Sequence, residues 1–176
     1  LGAPLDPARL GLAGHSRGGG IALLGAAERP EVKALSTWAA VSHFDRIGDE
    51  ATLVEWRRTG VYEVLNSRTG QVLPMGVGFL DDVLGNLDRL DLLAAARRLD
   101  VPWLLVHGTA DETVPFAEAE ALARASERCV RLATIAGGGH TFGAVHPFTG
   151  PTPHLEAAAA ATLGHFRAVL GAGPSA

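Results

Sequence analysis

Four short apolar runs, at residues 9–14, 34–42, 103–107 and 130–136, constrain this chain more than any other feature. The first is followed at once by His15-Ser16-Arg17-Gly18-Gly19-Gly20 and an apolar helical stretch at 21–27. The third begins after Pro102 and ends at Gly108, and the fourth runs into Gly137-Gly138-Gly139. Between the runs lie helical patterns: leucines at positions 80, 84, 87, 90, 92 and 93 over 79–99, and alanine-rich stretches with scattered charges over 116–126 and 155–170. Strands that are apolar along their whole length must be buried on both faces, and helices between them supply the cover. The reading is therefore α/β, a parallel sheet with helices on both faces.

A chain of 176 residues can bury roughly 70% of its unfolded surface, enough for one full core. A single domain over 1–176 is expected. The alternation is weakest at about 47–78, which holds Trp56, Tyr62 and a hairpin signal at 66–70, and this segment reads as an insertion near the site. With 47% hydrophobic residues, an intrinsically disordered chain is excluded. The 15 basic and 19 acidic residues give a net charge of −4 without any basic run, which disfavours a nucleic-acid partner.

The single cysteine, Cys129, has no internal disulfide partner, and the absence of CxxC and HExxH spacings leaves no metal site or cofactor to expect. No apolar stretch approaches the ~20 residues that span a bilayer. No signal-peptide pattern opens the chain, so the expected compartment is the cytoplasm. The first residue is Leu1 and not methionine, so the natural start is expected to lie upstream. The oligomeric state is left open.

Gly14-His15-Ser16-Arg17-Gly18 fits G-x-S-x-G between a predicted strand and a predicted helix. A nucleophile on such a sharp turn projects its Oγ, and glycines two residues either side are expected to prevent a clash across it. The helix start adds a positive dipole end, and the Arg17 backbone N–H is the expected oxyanion donor. A serine hydroxyl needs a base, and the base needs an orienting carboxylate. Asp111 follows the third strand and His140 the fourth, both at carboxyl ends, where open α/β sheets build sites. The order Ser16, Asp111, His140 is that of the α/β-hydrolases.

On three motifs, GHSRGG (14–19), VPWLLVHGTADETVP (101–115) and GGGHTF (137–142), the chain resembles the carboxyl-terminal half of an α/β-hydrolase. The branch is that of dienelactone-hydrolase-like and prolyl-oligopeptidase-like serine hydrolases and small-ester esterases. The resemblance implies a nucleophile elbow at Ser16, an acid loop at Asp111 and a histidine loop at His140. It also implies further strands before the elbow strand, one of whose loops supplies a second oxyanion N–H. Only eight residues precede Arg9. The chain is therefore expected to be part of a longer protein, with residues 9–14 otherwise a bare apolar sheet edge.

His146 is the competing base, and Asp45 and Glu112 the competing acids. His15 and His107 read as structural, bonded to backbone. Trp38, Trp56, Phe142 and Phe148 are pocket candidates against a commoner role as core. Ser36, Ser42, Ser67 and Ser126 lack glycine flanks and read as structural. Cys129 lies outside the elbow, which disfavours a cysteine hydrolase. The expected function is acyl transfer from a small-molecule carboxylic ester. The alternatives are a serine peptidase of the same fold, or a non-catalytic domain that binds a ligand or partner.

Overall fold

The computed structural model describes residues 6–45, 47–66, 69–126 and 130–171. Its strands are β1 (Leu10–His15), β2 (Val32–Trp38), β3 (Val61–Leu65), β4 (Val72–Gly76), β5 (Trp103–Gly108) and β6 (Val130–Ile135). Its helices are α1 (Arg17–Glu28), α2 (Glu50–Thr59), α3 (Val77–Gly85), α4 (Leu92–Arg98), α5 (Phe116–Ala125) and α6 (Pro153–Leu170). They fall into two compact units. One comprises Leu1–Ser42, Leu92–Ala144 and Gly150–Ala176, the other His43–Asp91 and Val145–Thr149.

The first unit carries a four-stranded sheet in the order β1-β2-β5-β6, parallel throughout. All six residues of β5 are buried, as an apolar central strand requires. Each fully buried Leu or Val there stabilises the fold by roughly 1.5–3 kcal/mol. Helices α1, α4 and α5 pack on one another and cover one face of the sheet, while α6 contacts all four strands. Gly11 and Leu12 show that α6 takes the opposite face. A Cβ on Gly11 would lie 2.9 Å from Phe166 of α6, whereas Leu12 approaches Gly25 of α1, and consecutive strand residues point to opposite faces. Strand β1 is an edge of this sheet, with Leu10 43% exposed.

Two sequence expectations change here. The apolar run at 34–42 is a strand only as far as Trp38. Ala39 turns to φ 47° and donates its N–H to Val106 O at 2.8 Å, leaving the ladder while Ala39 and Ala40 remain buried. The leucine repeat over 79–99 is two helices, α3 and α4, in different units. The break falls after Gly85, where the Asn86 side chain donates to Asp82 O at 2.7 Å and ends the first helix.

The second unit contains the segment 47–78. Asp49 starts α2 by accepting from Thr52 N at 2.8 Å, and Gly60 at φ 77° ends it. Strands β3 and β4 pair antiparallel, as the hairpin signal predicts, although Ser67 and Arg68 at its tip lie outside the described residues. Trp56 is buried against Tyr62 and Phe79, with ring centroids 5.1 and 6.2 Å away.

Candidate active site

Ser16 sits between the last residue of β1 and the first of α1 at φ 56° and ψ −125°, outside the regions an L-residue prefers. The turn is tied on both sides: Ser16 N–H donates to Trp38 O at 2.8 Å, and Gly19 N–H donates to Ser16 O at 2.9 Å. Holding a non-glycine residue there costs of order 1–3 kcal/mol. The glycine requirement differs in part from expectation. A Cβ on Gly14 would strike the Gly18 carbonyl oxygen, but one on Gly18 itself meets nothing within 4 Å. Gly19 is also closed to a side chain, since a Cβ there would lie 2.7 Å from that of Ala40.

The acid and histidine loops are cross-linked by backbone. Gly108 at the end of β5 has no room for a side chain because the Gly138 carbonyl lies against it. Ala110 N–H donates to Gly138 O at 3.0 Å, and Gly137 N–H to Thr109 Oγ1 at 2.8 Å. Asp111 is 7% exposed. Its Oδ1 accepts from the N–H groups of Thr113 at 2.9 Å and Val114 at 2.8 Å. Its Oδ2 lies 2.9 Å from His140 Nδ1, and His140 Nε2 lies 3.1 Å from Ser16 Oγ. A carboxylate accepts only, so Nδ1 carries the hydrogen and Nε2 presents its lone pair to the serine hydroxyl. Ser16, His140 and Asp111 are thus brought into one hydrogen-bonded line at the carboxyl ends of three strands.

Arg17 is the first residue of α1, immediately after Ser16. Partial burial lowers the pKa of its guanidinium, and the side chain stays charged. His15 donates from Nε2 to the His140 carbonyl at 2.8 Å, its ring 4.7 Å from that of His140. A cavity of about 300 Å3 lined by Ala13, Gly14, His15, Trp38 and Thr162 lies beside it. His107 bonds the Val114 carbonyl at 2.8 Å. Both histidines therefore bond backbone, as expected.

The competing residues are all exposed. His146 is exposed in the second unit, Asp45 is exposed 3.7 Å from His43, and Glu112 faces solvent. Phe142 is core, edge-on to Trp38 at 5.4 Å, and Phe148 is 64% exposed. Ser36 pairs with Thr162 at 3.2 Å, Ser42 N–H donates to the buried Glu118 at 2.8 Å, and Ser126 is buried. Ser67 and Cys129 lie outside the described residues. Among the described residues no three His, Cys, Asp or Glu side chains gather as metal ligands, and no helix is long and apolar enough to cross a membrane.

No family model matches the sequence, and no curated protein matches it. Solved structures do. An esterase domain of a Rhodothermus marinus protein superimposes with a TM-score of 0.59 at 24% identity, covering 89% of this chain and 60% of that one. A monoacylglycerol lipase from Paleococcus ferrophilus gives a TM-score of 0.64 at 17% identity, covering 89% and 67%. The fold is that of an α/β-hydrolase. A Mycobacterium tuberculosis puromycin-hydrolyzing peptidase gives 0.58 at 22% identity, covering 97% of this chain but 23% of the other. The chain thus spans about three fifths of the esterase domain and under a quarter of the peptidase.

Proposed function

We propose that this chain carries the catalytic residues of a serine hydrolase that cleaves small carboxylic esters. The observation that carries the reading is the unbroken relay from Ser16 Oγ through both nitrogens of His140 to Asp111 Oδ2, at 3.1 and 2.9 Å. In acylation, Ser16 Oγ bonds to the carbonyl carbon while His140 Nε2 takes the hydroxyl proton. The C–O bond to the alcohol then breaks, and His140 returns the proton to the departing oxygen. In deacylation water repeats the attack with His140 as base, the acid is released and Ser16 regains its proton. Asp111 stays ionised and holds the imidazolium. The Arg17 N–H, at the positive end of α1, donates to the oxyanion.

The amide reading has support of its own in the peptidase among the similar structures. It shares every step except the leaving group, which would be an amine protonated by His140. The test is hydrolysis of p-nitrophenyl acetate against an aminoacyl p-nitroanilide, with Ser16→Ala, His140→Ala and the double variant. Ester turnover should exceed amide turnover, each single variant should lose nearly all of it, and the double should be barely worse, because such residues act as a unit. Losses that add would refute the relay.

A further inference from the structure

The relay leaves one buried titratable group at its margin without a role. His107, in β5, is wholly buried, with its ring edge-on to Phe116 at 5.8 Å. Its Nε2 lies 2.8 Å from the Val114 carbonyl oxygen and 3.3 Å from Asp111 Oδ2. Both neighbours accept and neither donates, so Nε2 carries the hydrogen. The other ring nitrogen, Nδ1, is buried without a hydrogen-bond partner among the described residues. An orphaned polar atom is a cost that leucine, which fills positions 104 and 105 of the same strand, would avoid. Packing alone therefore gives no reason for a histidine here.

The atoms it touches supply one. Residues 111–114 form a tight turn in which Asp111 Oδ1 accepts the N–H groups of Thr113 and Val114. Those bonds fix one carboxylate oxygen. The other oxygen, Oδ2, accepts from His140 Nδ1 at 2.9 Å and lies 3.3 Å from His107 Nε2. The N–H bonds the Val114 carbonyl, which ties that end of the turn to the central strand, and it stands 3.3 Å from Oδ2.

We propose that His107 is a positioning residue whose Nε2–H, bonded to the Val114 carbonyl and 3.3 Å from Asp111 Oδ2, holds the 111–114 turn and its carboxylate toward His140. The proposal rests on the serine-hydrolase reading above. Without that donor the Val114 end of the turn loses its tie to β5, the carboxylate shifts with the turn, and the Nδ1–H tautomer of His140 loses its fixed acceptor. Because His107 is sealed inside the sheet, its removal should act on the chemical step and leave substrate binding alone.

The experiment compares His107→Phe, His107→Gln and His107→Asn with the unaltered protein and Ser16→Ala. It measures p-nitrophenyl acetate kinetics, the rate of labelling by a fluorophosphonate, and the thermal midpoint of each. Glutamine can place an amide donor near the Nε2 position, whereas asparagine reaches only the Nδ1 position. His107→Phe should lose about 10- to 100-fold in kcat, the usual effect of removing a partner behind a functional side chain. KM should stay within about twofold, and labelling should slow with kcat. His107→Gln should recover most of the loss and His107→Asn should not; this pair decides the matter if the phenylalanine variant fails to fold. Unchanged kcat in His107→Phe or in His107→Asn, or equal losses in Gln and Asn, overturns the proposal while a dead Ser16→Ala leaves the hydrolase reading standing. An active Ser16→Ala overturns both.

Discussion

Replacing the glycines of the elbow by alanine, one at a time, separates what the backbone requires from what the motif suggests. At Gly14 the new Cβ would strike the Gly18 carbonyl oxygen and lie 2.9 Å from Gly19 Cα. Both obstacles are backbone in the first turn of α1, so neither can swing aside as a side chain would. Relief requires moving α1 away from β1, the two elements that hold Ser16 at φ 56°. Forcing atoms into a full site costs typically 1–3 kcal/mol, and an obstacle of rigid backbone belongs at about 3. At Gly19 the obstacle is the Cβ of Ala40 at 2.7 Å, for about 1–2 kcal/mol. At Gly18 no atom stands within 4 Å, and alanine in a helix gains up to about 1 kcal/mol over glycine. Urea unfolding gives the energies directly, provided the m-value is common to all variants. In a domain of this size 1 kcal/mol moves Tm by about 2–4 °C, so Gly14→Ala should melt roughly 6–12 °C low. Gly18→Ala should melt at or above the unaltered protein. The reasoning fails if Gly18→Ala is as damaged as Gly14→Ala, or if Gly14→Ala unfolds normally.

Three further outcomes follow from the same geometry. Ser16→Gly should be more stable than Ser16→Ala by about 1 kcal/mol in urea unfolding, because only glycine accepts the positive φ without strain; equal stabilities would mean that the elbow stores none. Asp111→Asn should lower kcat by about 10^4 with little change in fold by circular dichroism, since an amide N–H facing His140 Nδ1 favours the wrong tautomer; a loss below tenfold would contradict the relay. Desolvation in α6 lowers the pKa of His165 below its ordinary 6.5. The unfolded chain then binds more protons than the folded one, so stability is lost as pH falls through and below about 6.5. His165→Leu should flatten that stretch of the stability–pH curve, and an unchanged slope in urea unfolding across pH 5–7 would count against the assignment.

The sheet and the relay were legible in the sequence because both are local in pattern. A strand covered on both faces must be apolar throughout, and β5 is, from Trp103 to Gly108. Its carboxyl end must then be a loop, and Asp111 is the first carboxylate in it. What sequence could not tell is where burial continues without a strand. Ala39 and Ala40 are as apolar as β2 itself, and only the backbone reversal at φ 47° ends the ladder. The leucines across 79–99 keep a helical rhythm through a turn because both α3 and α4 bury a face, Leu80 and Val83 in one and Leu92, Ala95 and Ala96 in the other.

Helix α2 did leave a signal, Asp49 before it and Gly60 after it, in a segment where the strand–helix alternation had faded. The glycine pattern misled in one place. G-x-S-x-G marks Gly18, whereas the space is closed at Gly14 and Gly19, because the clash depends on which Cβ vectors point across the turn. The contacts of His15 with His140 and of His107 with Asp111 join residues whose partners are fixed only in three dimensions.

The central claim is that Ser16 is a nucleophile activated through His140. Labelling the folded protein with a fluorophosphonate and mapping the adduct by mass spectrometry tests it most directly. The account predicts one adduct, on the peptide that contains Ser16, absent in Ser16→Ala and formed far more slowly in His140→Ala. An adduct on any other serine, or no adduct on a protein that circular dichroism shows to be folded, would contradict it.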